Sequence, residues 1–210
     1  MESEELAWKE YQRLENEFLE ICEYADLANE HLEVYSYKLM NLLVAVGVEF
    51  DSAGNSLLTK WISKGLIQDQ TLHKELKAKE DRGDFFNMGD YRKVFEHPPF
   101  VASSRCVTVT RIDLPIYPFT PSPQSGQTLR WWAAFTSLKH DRVANFVKSA
   151  TMGNALSALG ALLLTNLYFR SDGVKVEFPG LEPSQLFSIK FLSVSGRTLG
   201  VAKSIYRISS

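Results

Sequence analysis

Cysteine and histidine are scarce in this chain: Cys22 and Cys106 belong to no CxxC pair, and the four histidines are scattered at positions 31, 73, 97 and 140. A disulfide framework and a structural zinc site both need closely spaced ligands, so neither is expected, and no metal or other cofactor is implied. A phosphate loop of the GxxxxGKS type, a GxSxG elbow and an HExxH helix are also missing, which puts a small-molecule enzyme last among the function classes. There is no low-complexity tract and no internal repeat. The longest apolar run, 155–167, is interrupted by Ser157, Thr165 and Asn166 and is shorter than the roughly 20 residues that cross a bilayer. No membrane association is expected. The opening MESEELAWKEYQ is acidic, unlike a signal or transit peptide, and a cytoplasmic location is the expectation. An excess of positive charge is absent too: the net charge is -2, with eleven acidic and two basic residues in 1–34 against six basic and three acidic in 170–210. This gives no support to tight nonspecific binding of nucleic acid, but it is compatible with a local basic face.

What is present is the composition of a globular protein, 45% hydrophobic and 23% charged over 210 residues. That is enough for one well-buried core and too little for two ordinary domains. Trp8, Tyr11, Leu14, Phe18, Ile21 and Ala25 recur at steps of three and four, which predicts an amphipathic helix over 4–25 with its acidic residues outside. Leu32, Tyr35, Leu39, Leu42 and Val46 predict a second over 30–50. The next position on that stripe is Glu49, a carboxylate aimed at the core, where a charge needs a partner. Ser52 to Asn55 reads as a break, followed by short helices over 57–66, 71–80 and 87–96, the last ended by His97-Pro98-Pro99. CVTVT, 106–110, alternates like a strand and leads into the proline-rich LPIYPFTPSPQSG, which is extended surface chain. From Thr128 to about Phe169 the pattern is helical, with a break near 149–153, and ALSALGALLLTNLY is apolar almost all round, as a central helix should be. Beyond it, VKVEF, LFSIKFLSV and LGVAKSIYRI read as strands. The fold class is therefore mainly α (α+β): an up-and-down helical bundle with a small antiparallel sheet from residues 105–111 and 174–207. The bundle occupies 1–169 with a β- and proline-rich insertion at about 98–127, and 170–210 form a β appendage packed on the same domain.

WWAAFTSLKHDRVANF, 131–146, carries Lys139, His140, Asp141 and Arg142 in an unbroken row. On one continuous helix Trp131, Phe135, Leu138 and Phe146 share an arc, Lys139 and Arg142 project from within it, and His140 points the opposite way. Arg142 then reads first as the partner of Glu49 in a structural ion pair. For His140, a solvated or helix-contacting role and a catalytic one stand level.

The acidic first helix, EVYSYKLMNLLVAVGVEFDS, WWAAFTSLKHDR and ATMGNALSALGALLLTNLYF together resemble HEPN-like helical proteins of bacteria and archaea, found in toxin-antitoxin and antiviral defence systems. The resemblance covers roughly 4–96 and 128–169 and leaves the strands unexplained. For active members it implies metal-independent RNA cleavage at a site completed across a homodimer, by an arginine and a histidine four to six residues apart. Histidine would move the proton of the 2'-hydroxyl or of the leaving oxygen, and arginine would stabilise charge developing on the phosphate. On this chain the roles fall to His140 with Lys139 or Arg142, although here the arginine follows the histidine. Arg92 and His97 meet the family spacing and are the alternative pair. The competing reading is a non-catalytic helical module that binds a partner protein of the same system.

Overall fold

The computed structural model describes residues 3–96, 105–121, 128–171, 175–179, 182–189, 192–194 and 203–208. Among them are seven α-helices and six short strands: α1 (Ser3–Ile21), α2 (Tyr37–Ser63), α3 (Gln70–Asp81), α4 (Met88–Glu96), β1 (Val107–Val109), β2 (Leu114–Ile116), α5 (Arg130–His140), α6 (Arg142–Ser149), α7 (Met152–Phe169), β3 (Lys175–Pro179), β4 (Phe187–Ser188), β5 (Leu192–Val194) and β6 (Lys203–Ile208). The fold is the expected mainly helical bundle with small antiparallel sheets.

The centre is α7, with sixteen of its eighteen residues buried. It has the length and apolarity of a membrane span, but 89% of that stretch is buried inside the protein. α1, α2 and α5 pack around it. Close approach depends on two glycines. A Cβ at Gly47 of α2 would stand 2.4 Å from Phe135 Cδ2 of α5, and one at Gly160 of α7 would stand 2.9 Å from Val107 Cγ2 of β1. The first tryptophan of the WW pair is core: Trp131 lies edge-on to Phe50 with centroids 4.9 Å apart, and its indole N–H donates to the Pro118 carbonyl at 2.9 Å. That bond ties the start of the proline-rich segment to the bundle.

α2 is a single helix of 27 residues, so the break expected at 52–55 does not exist. The residues that look like punctuation serve packing instead. Gly54 leaves room for the Tyr91 ring of α4, and Asn55 turns its side-chain amide back to the Asp51 carbonyl at 2.8 Å and across to the Tyr91 hydroxyl at 2.6 Å. Tertiary contacts outweigh a local penalty of about 1 kcal/mol for a mid-helix glycine. The helix also starts later than expected, with Ser36 as its N-cap accepting from the Leu39 N–H at 3.1 Å. It ends where Gly65 takes up φ +64°, a left-handed conformation that favours glycine. Its Lys60, largely buried, pairs with Glu4 at 2.7 Å and donates to the Phe169 carbonyl, placing a cation at the C-terminal end of α7, where the helix dipole is negative.

The strands form two sheets where one was expected. β1 is central in the order β2-β1-β4, and β3, β6 and β5 form a second sheet, all pairings antiparallel. The middle strand thus pairs with one C-terminal strand, β4, and LFSIKFLSV divides between the two sheets. β2 lies inside the proline-rich stretch, where Leu114–Ile116 are extended as expected, but Pro118 and Phe119 are buried and not on the surface; 122–126 lie outside the described residues. Beside β4 sits the one charged side chain of α1 that turns fully inward. Glu15 is 1% exposed and accepts from the Tyr11 hydroxyl at 2.7 Å, from the backbone N–H groups of Gln185 and Leu186 at 3.1 Å each, and from the Ser184 hydroxyl. Burial, and then the Glu15 charge, hold the Tyr11 hydroxyl well above its ordinary acidity range.

Replacing Glu15 by Ala removes the buried acceptor of four donors at once, and denaturant melts should register a loss of about 3 kcal/mol. Glu20→Ala, an exposed change on the same helix, should stay within about 0.5 kcal/mol.

Candidate functional site

The row 139–142 does not lie on one helix. Lys139 and His140 are the last residues of α5, Asp141 is an extended residue at φ -146° and ψ 94°, and Arg142 is the first residue of α6. Asp141 causes the break, because its side chain accepts from the Ala144 N–H at 3.0 Å and caps the new helix. Asn145 braces the corner by donating to the Ser137 carbonyl at 3.3 Å and the Asp141 carbonyl at 2.8 Å. The row's four residues are all exposed. Lys139 lies back over the Phe135 ring, 5.9 Å from its centroid, and its charge offsets part of the effect of burial, which pushes the Asp51 carboxyl up from its ordinary value.

The expected ion pair between Glu49 and Arg142 is not formed. Arg142 is on the surface at the corner, and Glu49, half-buried on α2, faces Glu10 and Arg13 of α1. The reason is the break at Asp141: the arc that aimed Arg142 inward assumed an unbroken helix. Burial, reinforced by Glu10 and opposed by Arg13, pushes the Glu49 carboxyl up from its ordinary value of 4.5. Among the described residues the buried carboxylates are Glu15 and Asp90, the latter paired with Lys79. Of the alternative pair, Arg92 is half-buried and bridges to Glu96 at 3.6 Å, and His97 lies outside the described residues.

The corner adjoins an aromatic shelf that the helical stripe misassigns to the core. Tyr35 precedes the N-cap and is exposed; it bridges backbone to backbone with Thr151, the N-cap of α7. The flanking bonds, Ser36 N–H to the Ala150 carbonyl at 3.4 Å and Met152 N–H to the Val34 carbonyl at 2.9 Å, hold the starts of α2 and α7 together. Tyr37, 71% exposed, stacks on Phe146 of α6 with centroids 4.4 Å apart and planes at 25°. Tyr35 meets the same Phe146 edge-on at 5.5 Å. The signal in the sequence is YSY around the Ser36 N-cap: Tyr35 lies outside the helix and Tyr37 is its first residue, so neither belongs to its buried stripe.

Most cations of the described residues are paired, and those of this corner, like Lys64 and Lys74 elsewhere on the surface, are not. Lys9, Arg13, Lys60, Lys77, Lys79, Arg82, Arg92, Lys93, Arg111 and Arg130 all bridge to carboxylates. Among the described residues, Lys38, Lys139, Arg142 and Lys148 form no ion pair; the Lys38 ammonium sits instead 5.3 Å from the Tyr24 ring centroid. His140 has no hydrogen-bond partner among the described residues. No group of three or more His, Cys, Asp or Glu that could hold a metal ion occurs among the described residues. The arrangement places exposed cations, an imidazole and stacked rings at one corner of the surface.

No protein-family model, no curated protein and no solved structure matches this chain.

Two substitutions test the corner and its correction. Asp141→Ala should cost about 1 kcal/mol as the α6 cap is lost, and Asp141→Asn much less. Because the Glu49 value is raised on folding, its stabilising share is complete below its unfolded value and is lost as pH rises through the folded one. Glu49→Gln should therefore gain on the parent protein as pH rises above about 4 in urea melts, with a change under about 1 kcal/mol.

Proposed function

We propose that this is a HEPN-like protein that binds RNA in the cytoplasm at the α5–α6 corner and cleaves it without a metal. The observation that carries the reading is the set of cations at this corner that no carboxylate engages, beside a histidine whose ring nitrogens are unengaged. An RNA phosphate neutralises such a set, whereas a purely structural row would be paired within the fold. In this reading His140 takes the proton of a ribose 2'-hydroxyl or returns one to the leaving oxygen, and Arg142 and Lys139 meet the phosphate as negative charge builds on its oxygens. The nucleophile belongs to the RNA itself. A homodimer would supply a second histidine, so that one copy acts as base and the other as acid. The defence-system setting is the one the HEPN resemblance implies.

A second reading, a non-catalytic module that binds a partner protein, is favoured by one feature. On the outer face of α6, Val143 is 93% exposed and Val147, one turn on, 58%. Paired apolar side chains on the solvent side of a helix suit a protein interface.

Purified protein incubated with mixed RNA in excess chelator should produce cleavage, and His140→Ala should lose at least about 100-fold in rate. Binding without cleavage by the parent protein would remove the enzymatic part and leave an RNA-binding protein. If RNA is neither bound nor cut, the partner-protein reading takes its place, and sedimentation of a Val143→Glu variant would then report whether the α6 face holds copies together.

A further inference from the structure

We propose that the Tyr37 ring is a stacking platform for an unpaired base, so that the ligand of the corner is single-stranded and not duplex RNA; this rests on the RNA reading above. Tyr37 is stacked on one side only. Its inner face lies on Phe146 at 4.4 Å and 25°, and the residue is 71% exposed, which leaves the outer face open to solvent. An exposed tyrosine of this kind is held still rather than free to rotate. Its backbone begins α2 directly after the Ser36 cap, the preceding residues are zipped to 150–153, and Phe146 is itself pinned edge-on by Tyr35. A rigid ring with one free face adds little ordering cost when a base lies on it.

The surroundings specify the rest of the ligand. Arg142 is four residues before Phe146, so both project from the same side of α6, and Lys38 follows Tyr37 on α2. Neither cation is held by a carboxylate among the described residues. Positive charge near a stacking ring is an arrangement that accepts a nucleotide, with the base on the ring and its phosphates at the cations. In a duplex the bases are stacked on each other and covered, so a lone exposed ring has no base face to meet. A protein partner would need an apolar contact continuous with Tyr37, and the cations beside it would face carboxylates.

The test is fluorescence anisotropy at fixed salt with two labelled probes, a mixed-sequence RNA of about twelve nucleotides, within the range of single-strand site sizes, and the same strand in a blunt duplex. The parent protein should prefer the single strand. Tyr37→Ala should weaken single-strand binding about tenfold and leave the duplex nearly unchanged, Tyr37→Phe should restore it, and Arg142→Ala should weaken both probes. Melts of each variant verify that the fold is intact, as expected for a side chain outside the core. Equal losses on both probes, or none, for Tyr37→Ala would overturn the platform while leaving RNA binding in place. Absence of binding to either probe by the parent protein would overturn both proposals. A Tyr37→Ala variant that changes oligomeric state and not RNA affinity would assign the shelf to contact between copies of the chain.

Discussion

A helix with no exposed face must be enclosed on every side, and α7 imposes that requirement on everything else. Its apolar residues are enclosed by α1, α2 and α5, and its small residues decide how near the neighbours come. Gly160 admits the β1 layer, so a strand segment completes an otherwise helical wall. Enclosure also leaves the helix ends with unpaired backbone groups, which a buried site must satisfy. Thr151 does this at the start and Lys60 at the end, the latter through a charge matched to the dipole.

Glu15 solves the related problem of attaching the C-terminal segment. The segment enters beside α1 with the N–H groups of Gln185 and Leu186 turned inward, and a carboxylate is the acceptor that serves two such groups and two hydroxyls together. Leu186 and Phe187 are then buried in the same core as α7, with Phe187 across from Gly160. The two devices are coupled, because removing the acceptor would release the strand that covers the central helix. A charge buried among four donors keeps its hydration loss compensated, and removing the carboxylate would take their shared acceptor away at once.

Legibility from sequence follows the range of the forces. The stripe from Trp8 to Ile21 and the burial of 155–167 are periodic, local signals, and both read correctly. The α2 break failed because Gly54 and Asn55 were judged by propensity, when their roles depend on Tyr91, 36 positions beyond Asn55. Glu15 was counted among the outward acidic residues although it stands one turn after Tyr11, on the buried face; its backbone partners lie 170 and 171 positions away and leave no local trace. The 139–142 row was read on a continuous helix, and a single N-capping aspartate invalidated the geometry of every residue after it. The row itself was visible, whereas the shelf formed by Tyr37 and Phe146 depends on which way two separate helix starts are turned.

That division has a physical cause that bears on function. Core positions are determined by many simultaneous contacts, so their pattern survives in the sequence. The corner is determined by a few polar bonds, Asp141 to Ala144, Asn145 to Ser137 and the bridge at Tyr35, and its charged and aromatic side chains take no part in enclosing α7. Lys139, His140, Arg142 and Tyr37 can therefore change with little effect on stability, which leaves their identities free to answer to what they touch. The rigidity they need comes from elsewhere: the backbone beneath them is the joint where α2 and α7 both begin. A surface whose frame is fixed by the core while its chemistry is independent of it can acquire a ligand without loss of the fold.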